Sequence, residues 1–373
     1  MRGKEHPVLW AEVDLSALQA NVRALKRFTA PHVELMAVVK ANAYGHGAVP
    51  VARAALAAGA TRLAVHRLEE GIALREAGIT APILLLGYTR VGSAEKVVQY
   101  RLTPTVNSED FARALNQWAP PHFPVHIKVD TGLSRFGLAP EEVLPFVRFL
   151  QRLSHVQVEG IYTHFATADE LDPGPVWDQW RTFLDVLGSL NMSYGPIPFR
   201  HACNSAATLR FPQAHLDGIR PGIALYGMAP STEWPSPIPL RPVLSLKSVV
   251  VRVHTLRPGT AIGYGRTYVV KQPTRVALVP IGYGDGYPRA LSNRGAVLIQ
   301  GRRAPILGRV SMDQVVVDVS HIPHVQLEDE VVILGDQGED AIRAEEIARW
   351  AGTINYEITT HLLPRVPRVY VGC

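Results

Sequence analysis

Between about residue 34 and residue 225, short apolar runs alternate with helix-like segments eight times, and this repeat limits the possible folds more than any other feature. The strand candidates are Glu34–Ala41, Arg62–His66, Pro82–Gly87, Thr103–Asn107, Pro124–Gly132, Gln157–Ala166, Phe199–Ser205 and Gly218–Gly222. Between them, segments such as Val49–Ala58, Glu69–Ala77, Ser108–Gln117, Pro140–Leu153 and Pro175–Leu190 carry alanine, leucine and charge at helical spacing. Near-continuous apolar strands separated by helices are the mark of parallel sheets covered on both faces. The pattern predicts an α/β fold, a (β/α)8 TIM-like barrel. An open doubly wound sheet has the same periodicity, but the Gly-rich dinucleotide turn expected of it is missing.

Five prolines between residues 230 and 242 end the repeat, because such a stretch continues neither a helix nor a central strand. Beyond it, Leu244–Val253, Thr274–Pro280, Gly295–Ile299, Arg303–Leu307, Val315–Val319 and Glu330–Leu334 read as short strands, with one helix at Ala344–Ala351. We therefore expect a barrel domain over 1–240 and a mainly β C-terminal domain over 241–373. The early run Leu9–Leu15 precedes the barrel, and the sequence leaves open whether it pairs with the distal sheet. At 373 residues the chain has room for both domains, and 47% hydrophobic against 19% charged residues excludes disorder. No apolar run approaches the ~20 residues of a membrane span. The start MRGKEHPVLWAEVDL lacks the apolar core of a signal peptide, which predicts a cytoplasmic protein. Cys203 and Cys373 cannot form a disulfide framework, and no Cys/His spacing predicts a metal site. The net charge of +5 is scattered rather than gathered into a basic stripe, so no nucleic-acid partner is expected.

Of the 38 lysines and arginines only seven are lysine, so a lysine following an apolar run stands out. Lys40, in MAVVKANAYGHG, would sit at the carboxyl end of a buried strand, the face where barrels carry their active sites. Desolvation there lowers an amine's pKa and makes it a nucleophile for a carbonyl. A lysine snorkelling from a strand end to solvent fits that one strand equally well. Gly45 and Gly47 permit a tight turn, and Tyr44 adds a phenol. Lys128, Arg135, His164, Asn204, Ser205 and Arg220 fall at equivalent strand ends. Each alone reads as a satisfied core residue, whereas together they would converge on one mouth. The Arg220-Pro221-Gly222-Ile223 stretch, with Ser205 before it, has the make-up of a phosphate site.

The segment AVVKANAYGHG resembles the pyridoxal-phosphate attachment site of bacterial alanine racemases. HIKVDTGLSRFG, YTHFA, HACNSAA, GIRPGIALYG, IGYGRTY, IGYGDGYPR, GRVSMDQ and INYEI resemble further stretches of that family, in the same order, from Trp10 to about Arg368. The resemblance implies a homodimeric, pyridoxal 5'-phosphate-dependent isomerase. It would interconvert L-alanine and D-alanine by a two-base mechanism on a cofactor aldimine and supply D-alanine for peptidoglycan. Lys40 would hold the cofactor and act as one base; Tyr264, from the other subunit, would be the second. Taken alone, Tyr264 reads as a loop aromatic covering apolar surface. Arg220 would contact the cofactor's ring nitrogen, which an arginine cannot readily protonate. His164 would lie beside the ring, and Arg135 would contact the phenolic oxygen and the substrate carboxylate. Tyr44, Ser205, Gly222, Ile223 and Tyr356 match the phosphate cradle, with Asn204 and His201 along the same wall. Met312 would offer its backbone N–H to the carboxylate from the partner chain, while Tyr283, Asp313 and Tyr356 would line the entrance. Lys128 matches a lysine that relatives carry as a carbamate positioning Arg135; an ion pair with Asp130 is the alternative. Ser311 stands where several relatives have cysteine. Related barrel decarboxylases resemble a version with glutamate in place of Arg220, and single-domain cofactor-holding barrels lack the segment after Pro242.

Overall fold

The computed structural model describes residues 7–372. Cys373 lies outside the described residues. Two compact units make up the chain: one holds Leu18–Ala43 and Ala48–Leu240, the other the residues through Ala17, Tyr44–Gly47 and everything from Arg241 on.

In the first unit eight parallel strands form one sheet. Along the sheet the order is Thr103–Pro104, Ile83–Leu85, Arg62–Val65, Glu34–Val38, Gly218–Ile219, Phe199–His201, Val156–Tyr162 and Phe123–Lys128. The two ends meet: Thr105 bridges His126 in parallel, and Val106 N–H donates to His126 O at 2.8 Å. That contact closes the sheet into the expected barrel and removes the open-sheet alternative. Closure leaves no edge strand and buries the strand backbones on both faces, which is why these segments read as unbroken apolar runs. Two of the intervening helices begin at a side-chain cap. Ser108 Oγ accepts from Phe111 N–H ahead of Glu109–Trp118, and Asn204 Oδ1 accepts from Ala207 N–H ahead of Ser205–Arg210.

The second unit is built on a mainly antiparallel sheet. The strand Leu9–Asp14 lies inside it, antiparallel to Leu244–Val249 and parallel to Arg368–Val371. The run expected as one strand over Leu244–Val253 is two. Leu244–Val249 pairs with Glu330–Gln337, and after Val250 the chain changes partner, so that Arg252–Leu256 pairs with Thr274–Val279. A two-strand ribbon, Ala261–Ile262 with Tyr268–Val269, carries the turn Tyr264–Arg266. Ile262 packs into a small core with Val270, Val276 and Leu307, which anchors the base of that ribbon. Among the described residues no helix is long and apolar enough to cross a membrane.

Candidate active site

Lys40 follows the strand Glu34–Val38 by two residues, at its carboxyl end. The strand stops earlier than its apolar pattern suggests because Ala41, Asn42, Ala43 and Tyr44 all take φ near +52°. Successive left-handed L-residues are costly, at roughly 1–2 kcal/mol each, so other contacts must hold this turn. Glu70 supplies one: its Oε1 accepts from Ala41 N–H at 2.6 Å, while Oε2 accepts from His66 and Arg67 N–H. Asn42 Oδ1 closes the other side by accepting from Ala48 N–H at 2.9 Å. Burial, with Arg135 nearby, pulls the Lys40 amine below its ordinary pKa, against an opposing pull from Glu70.

Arg135 sits in a loop folded on Asp130, whose carboxylate accepts from the backbone N–H groups of Gly132, Ser134 and Arg135. Burial opposes charge on Asp130, but those three donors and Lys128 outweigh it and keep the carboxyl below its usual range. Lys128 is buried, its Nζ 5.6 Å from the Phe136 ring centre. Desolvation, then Arg135 and Arg220, bring its pKa down to about 8 against the pull of Asp130.

Arg220 is buried within the barrel, past the end of Gly218–Ile219. Its Nη2 donates to Thr163 O at 2.7 Å and Ala202 O at 3.0 Å and lies 3.4 Å from His164 Nδ1; its Nη1 donates to His201 Nδ1 at 2.6 Å. Desolvation lowers its pKa to about 10, so it remains cationic at neutral pH. Burial, followed by Arg220, Lys128, Arg135 and Lys40, holds His164 well below the ordinary histidine range and therefore neutral. Ser205 Oγ accepts from Gly222 N–H at 2.9 Å and Ala224 N–H at 3.2 Å, gathering the hydroxyl and the turn's donors at one point. Asn204, one residue earlier, is spent capping the short helix. Cys203 is a buried filler: its thiol donates to Ala214 O, and desolvation pushes its pKa up to about 12.

The remaining candidates belong to the β-rich unit. The Tyr44 and Tyr356 ring centres are 6.2 Å apart, and burial raises the Tyr44 phenol's pKa. Gly45 has φ +88°, and a Cβ there would fall 1.9 Å from Thr359 O, so only glycine fits where this turn meets the helix Asn355–Thr360. Tyr264 stands at 71% exposure and Met312 at 52%. Tyr283 N–H donates to Ser311 O and Gly284 N–H to Met312 O, which draws Tyr283, Met312 and Asp313 together. Arg365 then bridges Asp285 and Asp313 at 2.6 and 2.7 Å. Tyr264 and Ser311 line one cleft with Arg309.

Thus the structure gathers Lys40, Lys128, Arg135, His164, His201 and Arg220 within electrostatic reach at one barrel mouth. Tyr264, Tyr283, Met312 and Asp313 lie on the β-rich unit. Sequence reasoning missed Glu70. It follows Arg67 by the spacing of a capping glutamate, but arginine is not a capping residue and hid the signal.

The family model described as the alanine racemase N-terminal domain matches residues 13–230, and the C-terminal domain model matches 243–370. A curated alanine racemase of Halothermothrix orenii is 48% identical over 364 residues, covering 97% of this chain and 96% of the relative. That of Desulforamulus reducens is 48% identical over 369 residues, with 98% and 99% covered. Among solved structures, alanine racemase from Bacillus anthracis with bound L-Ala-P superposes with a TM-score of 0.93 at 41% identity, covering 100% of this chain and 97% of that one. The enzyme from E. faecalis gives 0.94 at 37% identity, with both chains covered in full.

Proposed function

The chain belongs to the alanine racemase family, and from that premise we propose that it interconverts L-alanine and D-alanine, with pyridoxal 5'-phosphate as cofactor. The observation that carries this reading is the barrel mouth, where a desolvated lysine amine shares its surroundings with two arginines and a neutral histidine. The residues present fit the cofactor. Lys40 offers an amine for its aldehyde, Ser205 with the N–H groups of Gly222 and Ile223 offers donors for its phosphate, and Arg220 offers a donor for its ring nitrogen. Bound there, pyridoxal phosphate supplies the conjugated electron-withdrawing system that acidifies the substrate's α-C–H bond.

Lys40 Nζ takes or returns the proton on one face of the substrate carbon, and Tyr264 Oη does so on the other. Arg220 donates without surrendering its proton, so the ring nitrogen stays uncharged and the electron sink stays modest. That favours quick return of the proton over transfer of the amino group. Arg135 and the Met312 N–H hold the substrate carboxylate. Tyr44 and Tyr356 complete the phosphate cradle, His201 and Asn204 form its wall, and Tyr283 and Asp313 stand at the entrance. Lys128 orients Arg135 as a carbamate; a pKa near 8 supports this, since only the neutral amine adds carbon dioxide. Tyr264 and Met312 serve the site of a second copy of the chain, which makes the working enzyme a homodimer with shared sites. Their exposure in the single chain is consistent with that use. The domain boundary near 240 and a cytoplasmic location, where D-alanine enters peptidoglycan precursors, complete the reading.

The test is to incubate purified protein loaded with pyridoxal phosphate with L-alanine and to assay D-alanine, with L-serine, L-lysine and L-ornithine as controls. Conversion of alanine well ahead of the others is expected. No D-alanine, or preferential conversion of a basic amino acid, sinks the proposal.

A further inference from the structure

A line of polar groups, buried from Arg220 to His126 and partly exposed beyond, runs from Arg220 through the barrel to the opposite mouth. Arg220 Nη1 is 2.6 Å from His201 Nδ1, His201 Nε2 is 2.9 Å from His126 Nδ1, and His126 Nε2 is 3.1 Å from Glu159 Oε2. Glu159 Oε1 accepts from Arg62 Nη1 at 2.9 Å, and Arg62 Nε donates to Glu34 Oε2 at 2.9 Å. His126 and His201 are 1% and 0% exposed, so water cannot substitute for any link between them. Glu34 and Arg62 open their strands, whereas Arg220 follows the end of its own.

Chemistry fixes the direction of every bond. A guanidinium has donors only, so His201 Nδ1 must accept and its proton must be on Nε2. His201 then donates to His126 Nδ1, which places the second proton on His126 Nε2, aimed at Glu159. An ionised carboxylate only accepts, and Glu159 is held ionised: desolvation opposes its charge, but the hydrogen bond from His126 and the Arg62 guanidinium outweigh it and keep the carboxyl below its usual range. Both imidazoles are neutral. Burial keeps His201 well below its ordinary pKa, helped by Arg220, and lowers His126 against the pull of Glu159. Reversing the line would set N–H against N–H at Arg220 and a lone pair against the carboxylate at Glu159.

Packing holds the rings in this orientation. The His201 ring stacks on Tyr162 at 4.7 Å and 8°, and the Arg220 guanidinium carbon lies 5.0 Å from the same Tyr162 ring centre. The His126 ring occupies the space beside Gly160, where a Cβ would fall 2.5 Å from it.

We propose that His126 and Glu159 are positioning residues for Arg220: the carboxylate fixes the far end of a proton arrangement that the guanidinium fixes at the near end, and the two imidazoles between them set how the guanidinium presents its remaining donors to the cofactor ring. The inference rests on the reading above for Arg220's role, but the proton arrangement does not.

The test therefore has two arms. In cofactor-free protein labelled with 15N-histidine and assigned with His126→Gln, both rings are expected to show the Nε2–H tautomer and no titration between pH 5.5 and 9. An Nδ1–H tautomer at His201, or titration near 6.5, overturns the arrangement whatever the enzyme catalyses. In the loaded enzyme, Glu159→Leu is expected to slow racemisation about 10-fold, by analogy with the carboxylates that orient metal-bound histidines, whose loss costs about 10–100-fold. It should raise pyruvate formed per racemisation by a similar factor while KM for alanine stays within about twofold. Glu159→Gln, which keeps an acceptor oxygen and nearly the same shape, should recover most of the loss and serves if the leucine variant does not fold. An unchanged pyruvate ratio in both variants overturns the positioning role. A wild-type enzyme that fails to racemise alanine at all defeats the functional reading instead and leaves the tautomer result standing.

Discussion

Lys40→Ala is expected to lower racemisation by about 10⁴-fold or more, because it removes a proton carrier and a covalent tether together. Its two functions separate by measurement. Borohydride treatment followed by unfolding should leave about one cofactor equivalent on the native chain and none on the variant. Retention of the cofactor by the variant would transfer the attachment to another amine, and with six other lysines in the sequence that amine would be quickly found. The amine is suited to the task by its setting. Burial and the neighbouring Arg135 lower its pKa, so a larger share is neutral near pH 7 than for a surface lysine. Glu70 works in the opposite direction, and the same carboxylate fixes the turn behind Lys40 through Ala41 N–H. One residue that does not react thus contributes to both geometry and basicity.

That turn also marks the limit of what the sequence revealed. All eight barrel strands were legible, because a parallel strand buried on both faces must be apolar throughout. Lys40 was legible as a candidate because lysine is scarce in this chain and rare after an apolar run. The left-handed stretch Ala41–Tyr44 was not, since alanine does not favour positive φ and contacts such as those of Glu70 and Asn42 hold it there. The short strands Ala261–Ile262, Asp340–Ile342 and Arg368–Val371 left no periodicity to read. His126 was hidden for another reason. A histidine inside an apolar run reads as a satisfied core residue, and its partner His201 lies 75 positions away, reached only because Gly160 between them has no side chain. Sequence patterns report burial and spacing; they do not report which buried polar groups the barrel brings face to face.

Tyr264→Phe is expected to remove proton transfer on one face only, and kcat/KM cannot display this. The equilibrium constant of a racemisation is one, so kcat/KM for L-alanine and D-alanine must fall together in any variant. The asymmetry survives in the half-step. In deuterated water, the variant should still wash out the α-proton of the enantiomer presented to Lys40. Washout from the other should fall by roughly 10²–10⁴, the usual contribution of a positioned general base. Equal losses from both enantiomers would place a single base on both faces and end the two-base reading. The same substitution tests which chain supplies the phenol. Lys40→Ala and Tyr264→Phe dimers are each inactive in the proposed scheme, yet a mixed dimer has one site with Lys40 from one chain and Tyr264 from the other. Co-refolding the two in equal amounts should restore about a quarter of native activity, since half the dimers are mixed and each has one of two sites intact. If Tyr264 served its own chain, every site in the mixture would lack one base. No activity would return, and the exposed turn at Tyr264–Arg266 would need another explanation.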